Sequence, residues 1–132
     1  MEYLAGYIAA LLLFVVLDLV WIKFVMRPIF TRSLGDLMLE DPRMTPAIVF
    51  FILYQMGILY LAVMPAVEAD SWALAGLHGA LIGLIAYGTY ESTNLATLKR
   101  WTSKMAAIDV SWGVVSSTLT ALFGFLTVSS LT

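Results

Sequence analysis

The stretch YLAGYIAALLLFVVLDLVWIKFVM, residues 3–26, decides the fold. As a helix it exceeds the roughly 20 residues needed to cross a hydrocarbon core of about 30 Å. Its charges are Asp18 and Lys23 alone. It lacks a basic leader, and Lys23 and Arg27 follow it as a stop, so it reads as a retained span and not as a cleaved signal. Three further apolar stretches, at about 46–66, 72–98 and 105–130, reach the same length.

The composition of the whole chain agrees. Its 132 residues are 61% hydrophobic and 12% charged, with a mean hydropathy of +0.93, against about 25% charged in a soluble domain. Too few polar groups exist to cover a water-facing surface, so lipid is the expected solvent and membrane lipid the first expected partner. A net charge of −2 offers no basic stripe for phosphates, which excludes nucleic acid as a partner. The absence of cysteine removes disulfides, iron–sulfur ligation and thiol catalysis. The expected fold is an all-α integral membrane protein: one domain over 1–132, built as a four-transmembrane-helix bundle.

The linkers set its topology. Arg27 to Thr45 is charged and carries Pro28, Gly35 and Pro42, while Val67–Ser71 and Lys99–Lys104 are tight connections that make successive helices antiparallel. All seven basic residues then fall on one side, which the positive-inside rule assigns to the cytoplasm, with both termini on the non-cytoplasmic side.

An ionisable group within the bilayer needs a reason, because even the lenient insertion scale charges about 2.5–3.5 kcal/mol for it. Asp18, Glu91 and Asp109 are such groups. At a rise of 1.5 Å per residue, Asp18 and Glu91 lie roughly 12 Å, and Asp109 roughly 6 Å, inside the cytoplasmic ends of their spans, with Tyr54 and Gln55 at a similar depth. Helical phase brings them to common faces: Tyr87, Tyr90, Glu91 and Asn94 form one stripe with Gly83, Ala80 and Gly76. In the fourth span Asp109, Trp112, Gly113, Ser116 and Thr120 form another, and the first span aligns Tyr7, Phe14, Asp18 and Trp21. The expected result is a buried acidic and tyrosine layer open toward the cytoplasm, comprising Asp18, Trp21, Tyr54, Gln55, Tyr87, Tyr90, Glu91, Asn94, Asp109 and Trp112. With no base at that depth, the crowded carboxylates should hold a proton, a cation or a cationic ligand.

The motif D-x-x-W occurs twice, at Asp18/Trp21 and Asp109/Trp112, in spans of opposite direction. Inverted-repeat symmetry and a shared packing need both account for it, and packing is the simpler account. The single histidine, His78, lies across the third span from Tyr87 and reads as an interfacial or packing residue. No second histidine or haem attachment motif accompanies it, and no metal set, nucleophile elbow or phosphate loop is present, so no cofactor and no metal are expected. G-x-x-x-G from Gly79 to Gly83 permits close self-packing and leaves a homodimer open.

The string YGTYESTNLATLKRW, Tyr87 to Trp101, followed by D-x-x-W-G at Asp109 to Gly113, resembles the uncharacterised bacterial membrane-protein family named domain of unknown function 2177. The resemblance covers the whole chain. Two positions depart from the pattern: Glu91 stands where the family usually has Asp, and Thr102 where Pro is common. The resemblance implies a multi-pass inner-membrane protein of bacterial type and brings no activity, substrate or cofactor.

Three functions stay open on these residues. The first is binding, and conceivably transport, of a proton, cation, amine or lipid headgroup at the acidic layer. The second is a lipid-modifying membrane enzyme with Glu91 or Asp109 as general acid/base and Tyr90 as proton donor. The third is a structural or accessory subunit whose polar layer only specifies helix pairing.

Overall fold

The computed structural model describes residues 1–38 and 43–132, so Pro42 of the expected linker lies outside the described residues. Helix α1 (Glu2–Trp21) passes through a π-helical turn at Ile22–Met26 into α2 (Arg27–Leu34) and a final tight turn at Gly35–Leu37. Helix α3 (Met44–Ile58) passes through a second π-helical turn at Leu59–Val63 into α4 (Met64–Ala69). Two uninterrupted helices follow, α5 (Trp72–Thr97) and α6 (Ser103–Leu131). Four rods result, Glu2–Leu37, Met44–Ala69, Trp72–Thr97 and Ser103–Leu131, each long and apolar enough to cross a membrane.

The first rod runs well beyond residue 26, where a loop is expected, and the reason is the treatment of proline. Proline lacks an amide donor and clashes with the carbonyl four residues back. A π-turn adds one residue to the ring and absorbs that mismatch without ending the helix. Pro28 and Pro65 each stand two residues after such a turn, in which the Arg27 and Met64 amides bond back to Ile22 O and Leu59 O. Pro65 leaves the Leu61 carbonyl without its helical amide, and His78 Nδ1 on α5 donates to that oxygen at 3.0 Å. His78 is thus a packing residue with a defined task. His78→Ala should lower the stability of the detergent-solubilised protein by about 1 kcal/mol, read as a lower Tm, whereas a purely interfacial histidine would leave Tm unchanged.

The connections are short because each is capped. Asp70, at φ 51°, turns the chain, and Ser71 Oγ accepts from the Leu74 amide at 3.2 Å to start α5. Thr102 Oγ1 does the same for the Met105 amide at 3.1 Å at the start of α6.

Burial is inverted relative to a water-soluble protein. Leu12, Val16, Leu53, Leu61, Ile85 and Leu126 are all more than half exposed, while Asp18, Gln55, Glu91, Asp109, Ser116, Ser117 and Thr120 are buried. Polar groups prefer the bundle interior to lipid, and apolar side chains lose nothing by facing it.

Helix α6 is the hub, packed along α5 on one side and α1 on the other. Glycine makes the α5–α6 contact close. A Cβ on Gly83 would overlap Gly113 O, and one on Gly79 would lie 2.7 Å from Ser117 O and 2.8 Å from Ala121 Cβ. The Gly79–Gly83 stripe is therefore occupied by α6 of the same chain and is not a free face for self-packing. At the α1–α6 contact Gly6 meets Val128 and Gly124 in the same way.

Candidate functional site

The antiparallel contact of α1 and α6 sets the two D-x-x-W motifs head to tail. Trp112 Nε1 donates to Asp18 Oδ1 at 3.1 Å, whereas Trp21 Nε1, near Asp109, is buried without a hydrogen-bond partner among the described residues. Between them the two indoles stack face to face, with ring centroids 4.5 Å apart and planes 3° from parallel. The crossing thus consists of one hydrogen bond, from Trp112 to Asp18, and the indole stack. It pairs the first helix with the last and does not map one half of the chain onto the other. Packing accounts for the repeated motif.

The third carboxylate follows the same rule. Trp101 Nε1 donates to Glu91 Oε1 at 2.8 Å. Trp101 gets there because Arg100, at φ 66°, folds the chain back after α5 ends, and Arg100 Nη1 pairs with Asp36 Oδ1 at 3.1 Å across the two loops of that end. Asp18 and Glu91 thus each accept from one indole. Indole N–H groups hold a carboxylate in place without neutralising it. Among the described residues no base pairs with any of the three: all seven basic residues are exposed, and Lys23 turns its ammonium toward Phe24 at 5.5 Å from the ring centroid.

Glu91 is fully buried, and its Oε2 has no hydrogen-bond partner, although it sits beside Asp109. Asp109 also interacts with Asp18, and Tyr87 lies beside both aspartates and Ser116. Tyr87 is held there by Gly113, where any Cβ would enter its ring. The three acids do not draw together closely enough to hold a metal ion among themselves.

Deeper in the bundle Tyr54 OH shares a 2.6 Å hydrogen bond with Ser117 Oγ, and its ring meets Tyr87 edge-on at 6.3 Å. Gln55 beside it is buried with neither amide atom bonded. Beyond this level the core turns apolar: Ala62, Val63, Ala66, Ala121, Phe125 and Val128 are all buried. Tyr90 and Asn94, expected in the buried layer, lie farther out. Tyr90 is 54% exposed, next to Asn94, with its ring edge-on to Trp101 at 6.1 Å.

Helix α3 opens the site. Its far continuation, with buried Ala62, Val63 and Ala66, closes on the bundle, but Phe50, Phe51 and Tyr54 hold its beginning away. Phe14 wedges there, edge-on to Phe51 at 5.3 Å and tilted on Tyr54 at 5.6 Å. The gap is a cleft of about 680 Å³ lined by Asp18, Trp21, Tyr87, Tyr90 and Asp109, with apolar walls from Ile22, Met26, Phe30, Ala47, Phe50, Phe51, Ile85 and Ala86. Its rim includes Ile22, Phe50, Ile85 and Tyr90, exposed residues on the sides of the helices. The cleft is therefore flanked by side-facing residues, where a bilayer would place lipid. Glu91 is sealed behind Asp109 and does not line the cleft.

Three contributors were not among the expected site residues. Trp101 lies past the end of α5, where helical periodicity no longer reports on facing. Phe50 and Phe51 carry no polar or motif signal in the sequence, and they line the cleft in the structure.

The family model described as "Predicted membrane protein (DUF2177)" matches residues 3–126, and the chain belongs to this family. No curated protein and no solved structure shows significant similarity to it.

Proposed function

We propose that this DUF2177 member binds a single-chain amphiphile bearing a cationic amine, taken from one leaflet through the lateral cleft. The ammonium lies between Asp18 and Asp109, and the alkyl chain follows Ala47, Phe50, Phe51 and Ile85. The supporting observation is the lining itself: among the described residues and apart from tyrosines, its ionisable groups are two carboxylates without basic partners, at the base of an apolar trough. A volume of about 680 Å³ suits one small ligand, for which pockets run to roughly 300–1,000 Å³. Asp18 precedes Lys23 by one and a half turns, about 8 Å, so an ammonium at Asp18 sits just below headgroup level and its chain continues toward the bilayer centre. In this reading the protein lies in a bacterial inner membrane with its basic end in the cytoplasm and its termini outside.

Binding from one side is favoured over transport because the core beyond Tyr54 is apolar and glycine-packed. Acid/base chemistry on a bound headgroup is a second reading, supported by Tyr90 and Asp109 on one cleft wall. In that reading Asp109 replaces Glu91 as the accessible acid.

The test is titration of the purified protein in nanodiscs with dodecylammonium, dodecanol and dodecanoate, followed through tryptophan fluorescence, since Trp21 and Trp112 flank the site. The amine should bind at least about tenfold more tightly than the alcohol, a difference of about 1.4 kcal/mol, and the carboxylate most weakly. Equal affinities for all three would leave the acids as helix-pairing elements and overturn the proposal.

A further inference from the structure

We infer that the cleft selects a quaternary, methylated ammonium head over a primary one; the inference rests on the binding reading above and names the class of head. Aromatic residues are 13% of the chain but six of the fourteen residues that line the cleft: Trp21, Phe30, Phe50, Phe51, Tyr87 and Tyr90. They come from four helices, α1, α2, α3 and α5, so the rings stand on several sides of one space and do not form a single stripe. Ring contacts fix them there. Tyr54, behind the lining, stacks on Phe50 at 5.3 Å and meets Tyr87 edge-on at 6.3 Å. Trp21 is stacked on Trp112 at 4.5 Å, and Phe30 and Tyr90 both rest on Trp101, at 5.5 and 6.1 Å. Rings already held in place lose little freedom when a ligand enters.

The rings adjoin the acids. Trp21 follows Asp18 by three residues and shares its helix face, and Tyr87 lies against Gly113, one turn beyond Asp109 on α6. A primary ammonium brings three N–H groups, each of which needs an acceptor once out of water. Asp18 Oδ1 already accepts from Trp112, and apart from the two carboxylates the oxygen acceptors on the lining side chains are the hydroxyls of Thr89, Tyr87 and Tyr90. A quaternary ammonium has no N–H to satisfy. Its charge is spread over methyl surface, which is drawn to ring faces within about 6 Å, and it sheds its water more easily than a primary ammonium does. Asp18 and Asp109 then supply the counter-charge and the rings supply the walls.

The test is titration of the purified protein in nanodiscs at pH 7 with dodecyltrimethylammonium and dodecylammonium, each corrected for partitioning into empty nanodiscs. The trimethylated ligand should bind at least about tenfold more tightly. Tyr90→Leu, at a residue more than half exposed, should weaken dodecyltrimethylammonium about three- to fivefold and leave dodecylammonium within about twofold, while Tyr90→Phe, which keeps the ring, should match the wild type. Equal or tighter binding of dodecylammonium, or a preference that Tyr90→Leu leaves intact, would overturn the selection and leave the binding reading standing. Absence of binding by either ligand would overturn both.

Discussion

Gly83→Leu should abolish the assembled protein, whereas Gly88→Leu, five residues along the same helix, should leave it intact. The difference is spatial. A Cβ at residue 83 overlaps the backbone oxygen of Gly113, and backbone cannot rotate away as a side chain can, whereas at residue 88 a Cβ meets nothing within 4 Å. Relief requires α5 and α6 to separate, which dissolves the interface that also places Tyr87 against Gly113 and Glu91 beside Asp109. Overpacking a core ordinarily costs about 1–3 kcal/mol. Here one substitution breaks the longest contact in the bundle, so the loss should exceed about 3 kcal/mol, enough to unfold a marginal protein. Fluorescence-detected size exclusion reads it directly, as a lost monodisperse peak for Gly83→Leu and a retained one for Gly88→Leu. A retained peak for both would mean that the α5–α6 approach is not structural.

The largest functional effect should come from Asp18→Asn combined with Asp109→Asn. Asparagine is nearly isosteric and at residue 18 keeps an acceptor oxygen for the Trp112 indole, so the contact of α1 with α6 survives and Tm should change little. What disappears is charge. Removing one side of a desolvated charge pair costs about 2–5 kcal/mol of binding, so dodecylammonium affinity should fall by at least about 30-fold while dodecanol affinity stays unchanged. A parallel loss for both ligands would place the effect in cleft shape. An unchanged amine affinity would remove the acids from recognition.

How much of this was legible in the sequence follows from what each signal measures. Length and hydropathy report on crossing the bilayer, and they located all four rods. Helical phase reports on facing within one helix, and it correctly buried Asp18, Glu91 and Asp109, while depth along the span placed Tyr54 and Gln55, also buried, at their level. Neither reports on pairing between helices. D-x-x-W was visible twice, but that Trp112 serves Asp18 and stacks on Trp21 depends on the α1–α6 register, which Gly6 and Gly124 determine by allowing close approach. Pro28 read as a helix end because a proline's missing amide is a local fact, while the π-turn that accommodates it is set by the segment as a whole. The cleft was hidden for a related reason. Aromatic bulk at Phe50, Phe51 and Tyr54 against alanines at 62 and 66 makes α3–α4 splay at one end only, and that wedge has no periodic signature.

An amine-headed chain lying in the lateral cleft would be revealed by photolabelling in nanodiscs with a long-chain alkylammonium carrying a diazirine on its chain, mapped by peptide mass spectrometry. Saturable labelling should concentrate on Ala47, Phe50, Phe51 and Ile85, be displaced by unlabelled dodecylammonium and be lost in the double asparagine variant. Labelling spread evenly over the lipid-facing residues, unaffected by competitor or by the variant, would contradict it.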